Sequence, residues 1–444
     1  MNLKFIKNLN LFYIIINIFL IFFALKTDQF LKFNSNLILF IIFFFIFNLL
    51  AILIPSKLFK INYFFILIFS YFFLIIIEIN YEKIFFKFCN NAKCKLTTIN
   101  TLEKQKNLQI KLNLLPKYFI KNEKFLPLSS FTHQSILGFN ENGYFSIHKT
   151  DEYGFFNKKD FYNEEIDLLM IGDSYLQGTT VYQDENIPES LNDLDLKTIS
   201  LGMGGNGPLL TLASLIEYKN VINPKNILYF HTERNDLVYD LFEEKKNLLL
   251  LKYLLNDFSQ DLVFKRDIIN KKLEKLNSEI IINSKNNNKK INIINFLKLK
   301  NIRKIYNLVN IGPKNFYEKK AIKKELLEYK NINEAIKNNK DVSSNIYLLD
   351  KIIKKMLSVY PNANFYIFYL PTRENLTLKK KGSIQLNIDA IFQENNYNYI
   401  MLDDELAGFD KKFIKSLYPS NYEHFNKKGY SFISNLIYKK IISN

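Results

Sequence analysis

Residues 166–178 read IDLLMIGDSYLQG. Five apolar residues, interrupted only by Asp167, run into Gly172-Asp173-Ser174, and Gly178 follows four residues after the serine. The chain has only 13 glycines in 444 residues, so two of them flanking one serine require a reason. Either this is an ordinary strand exit, or the backbone is bent tightly so that Ser174 is free to react.

The surroundings place the turn in a fold. From Glu165 onward, short apolar runs at 166–171, 198–201, 227–230, 365–370 and 399–402 alternate with stretches of helical spacing at 208–221, 345–359, 383–393 and 427–441. Continuous apolar runs are the mark of strands buried on both faces. Their alternation with helices predicts a doubly wound α/β fold with a parallel sheet. Ligands of such sheets bind beyond the carboxyl ends of the strands, where Ser174 falls.

A reactive serine needs a base, a group that orients the base, and donors for the oxyanion that forms. The loops after the predicted strands carry candidates. SLGMGGNGP (200–208) concentrates four glycines before a helix, and such a turn presents backbone N–H groups to an anion. FHTERNDL (230–237) puts Asn235 at a strand end, and YPSNYEHFNKKGY (418–430) puts His424 before the last helix. Asp173 is read as holding the turn, and His231 as structural.

With these four blocks in order, residues 165–444, apart from a central insertion, resemble the SGNH/GDSL hydrolase family. GDSYLQG resembles its first block, GMGGNGP the second, ERND the third and EHFNKKGY the fifth. The resemblance implies a flavodoxin-like parallel sheet flanked by helices. It also implies Ser174 as nucleophile, His424 as general base, and Gly205 and Asn235 as oxyanion donors. The sequence departs from the family in two places. The usual aspartate two or three residues before the histidine is replaced by Tyr422 and Asn421, and the adjacent Glu423 points away on an extended segment. A Ser-His dyad is therefore expected, its imidazole steered by a backbone carbonyl or by Asn421. Arg234 stands where glycine is common in the third block. Arg234 and Arg373 are two of only four arginines and lie in loops after strands, which makes them candidate substrate-binding residues.

The rest of the chain supplies context. Apolar runs at 9–25, 37–54 and 59–79 each approach the ~20 residues that cross a bilayer, so residues 1–80 are expected to be three transmembrane helices. The lysine bias slightly favours an inside N-terminus, which would place the catalytic domain outside the cytoplasm, in the periplasm of a bacterial inner membrane. Residues 81–164 read as a stalk and loop-rich linker. Cys89 and Cys94 are the only cysteines, and a disulfide closing that small loop is plausible in an oxidising compartment. The net charge is +17, and residues 245–340 hold 23 Lys+Arg against 9 Asp+Glu. That stretch is read as a helical basic insertion able to meet an anionic surface. Nucleic-acid binding is not expected, nor is a metal or cofactor.

The leading expectation is thus a membrane-anchored serine esterase hydrolysing acyl or acetyl esters on an envelope glycan or lipid. The alternatives are an O-acyltransferase modifying extracytoplasmic polysaccharide, and a decayed SGNH-like binding or assembly protein.

Overall fold

In the computed structural model, the described residues are 92–287 and 341–443, apart from 123, 160, 234 and 420–423, together with scattered helical residues between 53 and 69. These last belong to a separate unit. The three expected membrane spans lie almost wholly outside the described residues, as does the Cys89–Cys94 disulfide. Among the described residues no helix is long and apolar enough to cross a membrane.

Five strands build the main sheet: β4 (Glu165–Gly172), β5 (Thr198–Ser200), β6 (Asn223–Thr232), β7 (Asn364–Leu370) and β8 (Asn398–Met401). Their order is β5-β4-β6-β7-β8, and every pairing is parallel. Because side chains alternate across a strand, each apolar run serves two faces. Leu169 and Ile171 enter one core with Ile227, Tyr229, Ile367 and Tyr369. Leu168 and Met170 enter the other with Leu228, Phe230 and Phe368. Helices 208–217, 248–255, 341–359 and 383–394 supply apolar side chains to the first face. Helices 187–192, 411–416 and 427–437 supply them to the second. The fold is an α/β parallel sheet flanked by helices, as the periodicity implied.

Residues 92–164 do not form a stalk. Helix 92–106 is followed by β1 (Ile110–Leu112), β2 (Ser135–Leu137) and β3 (Ile147–Lys149), which form a second sheet in the order β1-β2-β3. Leu112, Leu114, Leu126, Leu128, Phe131, Ile136, Phe155 and Phe156 are all buried in the same core as β4 and helix 208–217. Burying several aliphatic and aromatic side chains, at about 1.5–3 kcal/mol each, integrates this segment with the sheet. Their spacing carries no clean period, so a loop-rich reading was natural.

The basic stretch is likewise divided. In residues 245–287, Leu249, Leu250, Tyr253, Leu262, Ile269 and Leu273 are buried in that core too. The buried Glu217 at the end of helix 208–217 accepts the Leu262 N–H at 2.8 Å and the Ser259 hydroxyl at 3.0 Å. This part belongs to the domain itself, while 288–340 lie outside the described residues.

Candidate active site

Ser174 opens a single helical turn, Ser174–Gln177, directly beyond β4. β4 lies between β5 and β6, the place where the chain order across the sheet reverses and where such folds open a crevice. Two residues shape the turn. Asp173 caps it, its Oδ1 accepting the Tyr175 N–H at 2.9 Å. Gly178 ends it in the left-handed region (φ 66°), with its N–H on the Ser174 carbonyl at 3.1 Å. A side chain at 178 would collide with Asn186, its Cβ falling 2.5 Å from the Asn186 Cβ.

His424 reaches the serine from the far end of the chain. Its Nε2 lies 2.7 Å from Ser174 Oγ across 250 residues of sequence. The loop before helix 427–437 is fixed by Phe425, fully buried among Tyr175, Tyr418 and Tyr430. Asn426 caps the helix by accepting the Gly429 N–H at 3.0 Å and donates its own N–H to the Leu417 carbonyl at 3.0 Å. The imidazole itself packs 4.9 Å from the Tyr175 ring.

The other ring nitrogen of His424 meets Glu141. Its Oε2 lies 2.8 Å from His424 Nδ1, and the two side chains are 12% and 20% exposed. Glu141 belongs to the loop between β2 and β3, inside the segment expected to be a linker. The loop is tied to the segment after the Ser174 turn from both sides: Phe139 N–H donates to the Thr179 carbonyl at 2.9 Å, and Asn142 Nδ2 to the Thr180 carbonyl at 2.8 Å. Ser174, His424 and Glu141 therefore form one hydrogen-bonded line. Where only a Ser-His pair was expected, a carboxylate 283 residues away in sequence extends the line. Asn421 and Arg234 lie outside the described residues.

The remaining candidates fall around this line. Asn235 begins a π-helical turn, Asn235–Asp240, and its Nδ2 donates to Asp173 Oδ2 at 3.3 Å. An amide nitrogen carries two hydrogens, and this bond uses one of them. Gly205 adopts φ 71° in the glycine turn, and the Lys117 side chain lies across it. A Cβ at this position would sit 2.6 Å from Lys117 Nζ. Lys117, Tyr118, Ile120, Asp240 and Glu243 line a cavity of about 250 Å3 beside Gly205. A larger hollow of about 500 Å3, between helices 341–359 and 383–394, includes none of the site residues. Arg373 turns toward its own chain: its guanidinium donates to the Pro419 carbonyl at 3.2 Å and stacks 4.9 Å over Tyr418. It braces the segment that leads to His424.

Behind the glycine turn lies a group of buried carboxyls that sequence reasoning did not single out. Glu244 accepts the Gly207 and Leu209 N–H groups at 2.6 and 2.8 Å. It thereby caps helix 208–217, whose own N-cap is a glycine with no side chain to do so. Burial drives the Asp236 and Glu244 carboxyls well above the usual range, and drives Asp240 up to about 8, with Asp236 adding to the effect. Burial also pushes His231 down to about 4. Its Nδ1 lies 3.0 Å from Asp236 Oδ2, with both side chains withdrawn from solvent. His231 is fully buried, packed against the Tyr229 and Tyr369 rings. Asp173 is also raised by burial, opposed by the Tyr175 N–H.

No protein-family model and no curated protein matches this chain.

Proposed function

We propose that the chain is a serine esterase of the SGNH/GDSL type that uses Ser174, His424 and Glu141. The observation that carries the reading is the unbroken hydrogen-bonded line from Ser174 Oγ through both ring nitrogens of His424 to Glu141. The strand order, second-first-third-fourth-fifth in chain sequence, is the flavodoxin-like order and supports the same family.

The chemistry follows from the geometry. Ser174 Oγ attacks the ester carbonyl as His424 Nε2 takes its proton. The Glu141 carboxylate fixes the Nδ1–H tautomer and stabilises the imidazolium. Negative charge moves onto the carbonyl oxygen, where the free N–H of Asn235 and the backbone N–H of Gly205 receive it. Collapse expels the alcohol, which takes the proton from His424 and leaves an acyl-serine. A water molecule activated by His424 repeats the sequence and releases the acid. The continuous triad favours an active enzyme over a decayed one.

The three apolar N-terminal runs support a membrane-anchored enzyme with its catalytic domain outside the cytoplasm, in the periplasm of a bacterial inner membrane. The substrate class is then an acyl, such as acetyl, ester on an envelope glycan or lipid. The basic stretch 245–340 supports docking on an anionic surface.

The test is turnover of an aryl acetate by the purified full chain in detergent. Hydrolysis that disappears in Ser174→Ala is expected. Hydrolysis unaffected by that substitution, or none in the intact chain, would overturn the proposal.

A further inference from the structure

The glycine turn at 202–207 leaves one backbone donor over. Gly202 donates to the Ser200 hydroxyl at 3.1 Å and Met203 to the Gly172 carbonyl at 3.2 Å. Gly204 donates to Gln177 Oε1 at 3.2 Å, Asn206 to the Met203 carbonyl at 3.0 Å, and Gly207 to Glu244 at 2.6 Å. Among the described residues no acceptor meets the Gly205 N–H. Gly205 is also the partly exposed member of the turn, its neighbours being buried. Backbone donors inside a protein are almost always paired, so a turn with five tied N–H groups and one free one has a single N–H to offer an incoming oxygen.

The tie at Gly204 comes from the nucleophile turn itself. Gln177 closes the helical turn that Ser174 opens, and its side chain is fully buried. Asn113, just beyond β1, holds the Gln177 carboxamide from the other side. Asn113 Nδ2 donates to Gln177 Oε1 at 3.4 Å, and Gln177 Nε2 donates to Asn113 Oδ1 at 3.3 Å. Gln177 Nε2 also reaches Met203 Sδ at 3.6 Å. This pairing fixes which end of Gln177 faces Gly204, because a reversed carboxamide would set one donor against another. The residues after Asn113 continue along the turn. A Cβ at Gly204 would fall 3.0 Å from Leu115, and Lys117 lies across Gly205. Segment 113–117 is thus a strap against the glycine turn.

We propose that Gln177, braced by Asn113, is a positioning residue for the oxyanion site: it couples the Ser174 turn to the glycine turn and so fixes the free Gly205 N–H relative to the nucleophile. The proposal rests on the esterase reading, in which that N–H receives the oxyanion, and assigns Gln177 no contact with substrate. The link is short on both sides. Gln177 lies three residues after Ser174 on one helical turn, and Gly204 precedes Gly205 directly. An oxyanion donor acts through its preset position, so a turn released from Gln177 should bind substrate normally and stabilise the transition state poorly.

The experiment compares the full-length wild type in detergent with Gln177→Met, Gln177→Glu and Asn113→Ala. It measures kcat and KM for an aryl acetate and for the matching thionoester, and hydrogen exchange of the 202–207 stretch by mass spectrometry. Gln177→Met keeps the side-chain length and removes its hydrogen bonds. It should lower kcat for the acetate about 30–100-fold with KM changed less than about 3-fold, in line with the roughly 10^2-fold cost of a 1 Å misplacement. A thionoester sulfur is larger and accepts hydrogen bonds weakly, so its turnover should fall less than about 5-fold. Gln177→Glu keeps an oxygen for the Gly204 N–H and should retain kcat within about 10-fold of wild type. Exchange of the turn should quicken at least about 10-fold in Gln177→Met. Equal losses on the two substrates, a loss carried by KM, or wild-type kcat in Gln177→Met would overturn the proposal. Should Gln177→Met fail to fold, Asn113→Ala decides it by the same contrast between acetate and thionoester. Should the intact chain hydrolyse no ester, the esterase reading fails, and exchange judges the link by itself: a quickened turn in Gln177→Met would support it, and wild-type exchange would overturn it.

Discussion

The two parts of the domain that meet at Ser174 were built by different rules. Residues 165–443 present Ser174, His424 and Asn235 at the ends of parallel strands or the start of a helix, each marked by a local sequence pattern. Residues 92–164 present Glu141 and Lys117 from a loop and a 310 turn with no such pattern. The first part is a scaffold whose periodicity announces where its loops will gather. The second reaches that gathering point only because its apolar side chains share a core with β4 and helix 208–217. On the proposed mechanism, a site assembled this way takes its nucleophile from the regular part and its carboxylate from the irregular part.

That division can be broken, and the largest effect should come from the regular part. Ser174→Ala should lower kcat for an aryl acetate by several orders of magnitude, the usual consequence of losing a nucleophile. Glu141→Ala tests the irregular part. Losing the group that orients a catalytic histidine costs roughly 10^4-fold in the best-studied triads, and a loss above about 100-fold with little change in KM is expected here. Comparable activity in Glu141→Ala and wild type would return the site to a dyad. Asn235→Ala removes one oxyanion donor and should cost about 10^2–10^3-fold in kcat. A change confined to KM would make Asn235 a ground-state binding residue.

Stability offers a smaller contrast, at the wall where Lys117 meets the buried carboxyls. Asp240 is held near 8 when folded, far above the ordinary carboxyl range of the unfolded chain. The folded state thus keeps a proton that the unfolded state releases. Stability from this group is complete below about pH 4 and falls as pH rises toward 8. Asp240→Asn should therefore melt higher than wild type at pH 8, by roughly a few degrees, with the difference shrinking toward pH 4. A pH-independent difference would contradict this assignment. The smallest effect concerns Asn421, at a position where the SGNH family usually carries its aspartate. Because Glu141 already occupies His424 Nδ1, Asn421→Asp should leave kcat/KM within about 2-fold of wild type. A large gain would show that Glu141 orients the base poorly.

How much of this was legible in the sequence depends on distance along the chain. Apolar runs at 166–171, 365–370 and 399–402 became strands 165–172, 364–370 and 398–401, because a strand buried on both faces needs only its own residues to declare itself. The Ser174 turn was legible for the same reason, through Gly178 and the Asp173 cap. Glu141 was not. It sits in Asn140-Glu141-Asn142-Gly143, an ordinary loop composition, and nothing local signals its contact with a histidine 283 residues on. The absence of an aspartate near His424 was the available clue, and it gave no hint that a carboxylate at position 141 meets the ring. Arg373 was singled out for its scarcity, and the structure adds what scarcity could not show, its contacts with the Pro419 carbonyl and the Tyr418 ring.

The most direct test of the triad is the rate at which the full-length chain is labelled by a fluorophosphonate, measured for wild type, Ser174→Ala and Glu141→Gln. This rate reports nucleophile activation without any assumption about the natural substrate. The expected result is labelling of wild type at Ser174, none in Ser174→Ala, and labelling slowed at least about 100-fold in Glu141→Gln. Labelling of Glu141→Gln at the wild-type rate, or labelling of wild type at a residue other than Ser174, would contradict it.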